Sequence, residues 1–90
     1  MRNKSYRQAK AFIKACWTLS TTAQEIRSPS KLRELVYKRT AIAFYMTESR
    51  GISEDHAAHL INRSRFIFRH YETIRHYQEI KDNIEMLKKC

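Results

Sequence analysis

At 90 residues and 42% hydrophobic content the chain can bury one modest core but not two, which makes residues 1–90 a single domain. Its 18 Lys and Arg against 9 Asp and Glu leave a formal charge of +9 and a pI near 9.9, an excess that draws polyanions and favours nucleic acid over an anionic membrane or an acidic protein. No apolar run approaches the ~18–20 residues of a bilayer span, and the basic N-terminus leads into no apolar signal core, so no membrane partner and a cytoplasmic location are expected.

One Gly and one Pro leave few forced turns, and no segment alternates as a half-buried strand does, so the expected fold is all-α, a bundle of five to six helices. From Lys4 to Leu19, the residues Tyr6, Ala9, Ile13, Cys16 and Trp17 recur at helical spacing with Arg7, Lys10 and Lys14 between them. This predicts an amphipathic helix with a basic outer face and Trp17 anchoring the core. Cys16 sits on that apolar stripe, where a thiolate is disfavoured, and Cys90 is a free thiol at the last position; together they form neither a disulfide framework nor a metal cluster. Ser20, Thr21 and Thr22 break the pattern, and Thr22 with Glu25 makes a capping-box start for a very short helix. Pro29 then forces a loop over residues 27–31.

A long helix is predicted from about Ser30, its N-cap, to Ser49, with Leu32, Leu35, Val36, Ala41, Ala43, Phe44 and Met46 on its apolar face. Gly51, the only glycine, fits the C′ position that stops it. Ser53 caps a helix of about two turns, with Glu54 and Asp55 against the positive end of its dipole and Ala57, Ala58, Leu60 and Ile61 buried. Asn62, Arg63 and Ser64 form a tight turn, because Asn tolerates left-handed geometry and Ser64 can cap the next helix. That helix starts near Arg65 and carries Ile67, Tyr71 and Ile74; the last carries Ile80, Ile84 and Leu87.

Two helices joined by so short a turn, the first acidic at its start and the second opening on Arg63, Ser64 and Arg65, have the layout of a helix-turn-helix between about Gly51 and Tyr77. Between Arg63 and Arg75 there are four arginines and one acid, Glu72. A recognition helix presses its N-terminal residues against base edges while neighbouring cations hold phosphates, which places major-groove contacts at Arg63, Ser64, Arg65 and Arg69. A second basic cluster, Arg27, Lys31, Arg33, Lys38 and Arg39, faces only Glu34 and can reach an adjacent phosphate or the minor groove. Phe66 and Phe68 cannot both enter the core if Ile67 does, since helix neighbours point in different directions.

These features together resemble the C-terminal, DNA-box-binding domain of the bacterial replication initiator DnaA. The likeness covers roughly residues 10–90. Residues 22–39 resemble that family's short helix, basic loop and start of the long helix; residues 41–46 resemble its apolar continuation; Ile52, Ser53 and residues 57–63 resemble the first helix and turn of its helix-turn-helix. The resemblance implies that Lys31 stands at a minor-groove site with Arg33 nearby, that Arg39 holds DNA backbone, and that Arg63 opens the recognition motif. Where the family has Asp-His-Thr/Ser-Thr-Val, this chain has Ser64, Arg65, Phe66, Ile67 and Phe68, so the resemblance implies fold and docking mode rather than the initiator's own DNA box.

No phosphate loop is possible with one Gly, so the initiator's ATPase is not implied. His56 and His59 stand three apart without the Cys or carboxylates that would complete a zinc set, and no nucleophile-and-base motif is recognisable. The expectation is a non-enzymatic, cofactor-free, sequence-specific binder of double-stranded DNA, a regulator of transcription or replication from a bacterium, phage or mobile element, nucleoid-associated. The alternative is an interaction module of initiator-like fold that binds a host replication or transcription protein, supported by Phe66 and Phe68 where DNA-reading polar residues are expected.

Overall fold

The computed structural model describes residues 4–89, so Cys90 lies outside the described residues. Among them are six α-helices and no strand: α1 (Lys4–Thr18), α2 (Ala23–Arg27), α3 (Arg33–Phe44), α4 (Glu54–Leu60), α5 (Ile67–Ile74) and α6 (Gln78–Lys88). A π-helical turn, Tyr45–Ser49, extends α3. No described helix is long and apolar enough to cross a membrane.

α3 is the central element. From Arg39 to Phe44 six consecutive residues are buried, so its second half has no outward face, and it packs against α1, α2, α4 and α6. A helix enclosed on all sides must be apolar or internally satisfied all round. Ala41, Ile42, Ala43 and Phe44 meet the first condition, and Thr40 meets the second by donating its hydroxyl to the Val36 carbonyl at 2.7 Å. Phe68 of α5 meets Phe44 edge to face, ring centroids 5.7 Å apart, and is buried, whereas Phe66 is 64% exposed.

Helix ends follow local chemistry. Thr22 and Glu25 form the reciprocal capping box of α2, at 3.1 and 3.2 Å, and Ser53 accepts from the His56 N–H to start α4. Ser20 (φ 58°), Gly51 (φ 67°) and Asn62 (φ 60°) take the left-handed conformation after α1, the π turn and α4. The next N–H then folds back on a carbonyl of the preceding helix: Thr21 to Cys16, Ile52 to Met46 and Arg63 to Ala58, at 2.8 to 3.0 Å.

Three expectations are corrected. The buried face of α1 is Gln8, Phe12, Ala15, Cys16 and Leu19, while Tyr6, Ile13 and Trp17 point outward. Trp17 is 71% exposed and does not anchor the core. Its helix carries two apolar stripes, and the packed one includes the polar Gln8. Cys16 does lie in the core, and burial pushes its thiol up to about 12. Second, α3 begins two residues later than a Ser30 cap implies: Ser30 Oγ accepts from the Leu32 N–H and its carbonyl is held by Arg39, so Leu32 becomes the N-cap and is exposed. Third, α5 begins at Ile67 rather than near Arg65. Bonds from Ile67, Phe68 and Arg69 N–H to the carbonyls of Ser64, Arg65 and Phe66 are all three-residue returns, so the entry winds as a tighter turn.

One polar cluster locks the end of α5 to the π turn. Arg75 donates Nη1 and Nη2 to the two carboxylate oxygens of Glu48 and Nη1 also to Glu72, each at 2.9 Å, with its guanidinium 3.9 Å from the Phe44 ring centroid. Arg75→Ala is expected to lower stability by about 1–2 kcal/mol, since a bidentate charged pair and a cation–π contact are lost together. Arg75→Lys should recover less than half of that, because an ammonium cannot fork. Hydrogen bonds from Arg75 hold the Glu48 carboxyl below its ordinary value of 4.5. The pair's contribution is therefore fully present above that value and is lost as pH falls through the lowered folded one. Urea unfolding of wild type and Arg75→Ala across that acid range checks both points; parallel pH profiles would refute the coupling.

Candidate nucleic-acid interface

The loop after α2, the N-terminal half of α3 and the α4–α5 turn are joined by arginines aimed at carbonyls. Pro29 keeps residues 28–31 out of any helix, so their carbonyls need donors from elsewhere. Arg39, 2% exposed, supplies two of them, donating Nη2 to Ser28 and Ser30 at 3.3 Å each, and its Nε donates to the Ile26 carbonyl of α2 at 2.7 Å. Arg63 reaches the same Ser28 carbonyl with Nη2 at 2.7 Å and caps its own turn with Nη1 on the Ile61 and Asn62 carbonyls. Arg27 returns the contact, donating Nη1 to the carbonyls of His59 and Leu60 at the end of α4, while Asn62 Nδ2 donates to the Arg27 carbonyl. The basic loop and the turn are thus one rigid unit.

Burial pulls Arg39 below its ordinary value, and the neighbouring Arg63 guanidinium adds to this, with Tyr71 partly opposing. Tyr71 is raised by its own burial, with Arg39 and Arg63 opposing. Two cations so close, sharing one carbonyl, leave the local potential positive. They open onto a cleft of about 700 Å³ between the loop and α5, where Lys31, Asn62 and His70 also lie and no carboxylate is present.

The seven residues expected from the sequence to contact DNA fall into four groups. Lys31 is exposed on this cleft, and Arg63 is half-buried at its wall. Arg39 is buried in the cleft lining, with Nε and Nη2 already donated to three carbonyls. Ser64, Arg65 and Arg69 are exposed, but on mixed ground. Ser64 Oγ accepts from the Phe66 N–H at 3.3 Å. Arg65 stands 3.6 Å from Asp55 and over the Phe66 ring, and with Arg69 it borders a depression that also contains Glu54 and Glu72. Arg33, also exposed, lies elsewhere, in a groove between α3 and α6 with Glu34, Glu79 and Asp82, and is not gathered with Lys31.

His70 is the cleft residue that sequence reasoning missed; its place one helical turn beyond Ile67 on the Arg63 side was the available signal. The rings of His56 and His59 are 6.4 Å apart, and among the described residues no group of three His, Cys, Asp or Glu could hold a metal. No family model matches the chain, and neither the curated proteins nor the solved structures give a match.

Proposed function

We propose that this chain is a sequence-specific double-stranded-DNA-binding protein, a regulator of transcription or replication that works at the nucleoid without catalytic chemistry or a cofactor. The observation that carries the proposal is the carboxylate-free basic cleft beside the α4–α5 turn, with Arg65 exposed in that turn and Arg69 exposed on α5. In this reading α4 and α5 are a helix-turn-helix. α5 enters the major groove with Arg65 and Arg69 toward base edges, while Lys31, Arg63 and His70 receive the sugar-phosphate backbone that runs along the cleft. The resemblance to the C-terminal domain of DnaA supports the same docking. The roles differ in two respects: Arg39 acts by holding the loop, and Arg33 stays outside the contact.

Selection from random duplexes, at low and at physiological salt, tests this. A recurrent site enriched at physiological salt is expected, with affinity falling by roughly 0.9 log unit per tenfold salt for each phosphate held. Enrichment of no sequence, with binding that vanishes at physiological salt, would overturn it. That result would favour the second reading, an interaction module for a host replication or transcription protein, for which the exposed Phe66 ring is the specific support.

A further inference from the structure

α1 presents a second surface that the DNA reading does not use. Tyr6, Ile13 and Trp17 stand at positions i, i+7 and i+11, one face of a helix over about 16 Å. They are 45%, 41% and 71% exposed. Lys10 continues the same row, and Arg7 and Lys14 run alongside it, all three exposed. No acidic residue occurs in α1. Beside the row lies a groove of about 320 Å³ with Ala11 and Leu87 in its lining, walled by Arg7, Lys10 and Lys14 on one side and Arg50 on the other. None of these four cations takes part in an ion pair among the described residues.

We propose that this face docks an amphipathic helix of a partner protein, apolar where it meets Ile13 and Trp17 and acidic along the edge that meets Arg7, Lys10, Lys14 and Arg50. The choice of occupant follows from charge and shape together. The same face of a second copy would set like charges against each other. A duplex would satisfy the cations but leave an apolar seam three turns long against sugar and phosphate. A helix with apolar anchors at three- and four-residue steps and acidic flanks satisfies both, in the usual helix-on-groove manner.

Trp17 is the only tryptophan, so its emission reports on this face alone. The full chain is titrated at physiological salt with a synthetic helix of about fifteen residues, leucines along one face and glutamates along both edges. Its counterpart with lysines for glutamates and a scrambled glutamate peptide are the controls. The glutamate helix is expected to shift Trp17 emission to shorter wavelength and saturate. Lys10→Glu with Lys14→Glu, both exposed, should leave the thermal midpoint in place, weaken that helix at least about tenfold and transfer preference to the lysine helix. Arg65→Ala with Arg69→Ala, remote from α1 in the DNA reading, should leave the affinity for the glutamate helix as it is. The proposal is overturned if emission does not move, if the scrambled peptide binds equally well, or if charge reversal fails to switch preference. It is equally overturned if duplex DNA displaces the helix, or if phosphatidylglycerol vesicles shift the emission where the helix does not.

Discussion

Replacing Arg39 with alanine should destabilise the protein by about 3–5 kcal/mol, because buried carbonyls lose a charged donor at roughly 1.5–3 kcal/mol each. The guanidinium donates to the Ile26, Ser28 and Ser30 carbonyls, of which Ser28 also accepts from Arg63. With total stability of a domain this size on the order of 5–13 kcal/mol, a thermal midpoint lowered by more than ~10 °C is expected. Arg39→Lys keeps the charge but cannot span three carbonyls from one point, so it should recover only part of the loss. Arg39→Met fills the space without donating and should behave like alanine. Thermal and urea unfolding of the three variants decide the matter. If Arg39→Ala unfolded within about 0.5 kcal/mol of wild type yet lost affinity for a selected duplex, the arginine would be a backbone contact and the inward assignment would be wrong.

The same residue shows where sequence reading stops. A count of cations treats each as facing solvent, and Arg39 and Arg63 look no different from Lys31 until the loop carbonyls that need them are placed in space. Local signals fared better because their physics is local. Gly51 and Asn62 were legible as left-handed stops, and Thr22 and Ser53 as caps, since each depends on neighbours a few residues away. In the second half of α3, Ala41, Ala43 and Phe44 were legible as an apolar face, but burial on every side, taking in Arg39, Thr40 and Ile42, was not. α1 was legible as a helix but not in its rotation: Phe12, Ala15, Cys16 and Leu19 compete with Tyr6, Ile13 and Trp17 for the interior, and periodicity alone gives both stripes equal standing. What decided between them was tertiary. α1 packs against α2, α3 and α6 with Phe12, Ala15 and Cys16 buried and Trp17 turned outward. Likewise, that only one of Phe66 and Phe68 could be buried was legible; that Phe68 was the one followed from where Phe44 lies.

The DNA reading makes its largest demand on Arg65 and Arg69. Changing both to alanine should cost about 2–6 kcal/mol of affinity for a selected duplex, at least about thirtyfold in Kd, if each makes a bidentate contact to a base edge. Stability should hardly change. Both side chains are exposed, and the one ion pair lost, Arg65 with Asp55 at 3.6 Å, is a surface pair worth at most about 1 kcal/mol. The single variants separate two modes of contact. A residue reading a base relaxes selectivity at one position of the site and leaves the salt dependence almost unchanged, whereas one holding phosphate weakens all sequences alike and lowers the slope by roughly one. Asp55→Ala supplies the opposite sign: with its carboxylate gone, Arg65 is released and the local potential rises, so non-specific affinity at low salt should increase. An unchanged Kd in the double variant, with Asp55→Ala equally silent, would remove α5 from the DNA interface and leave the cleft at Lys31, Arg63 and His70 without the helix it is proposed to serve.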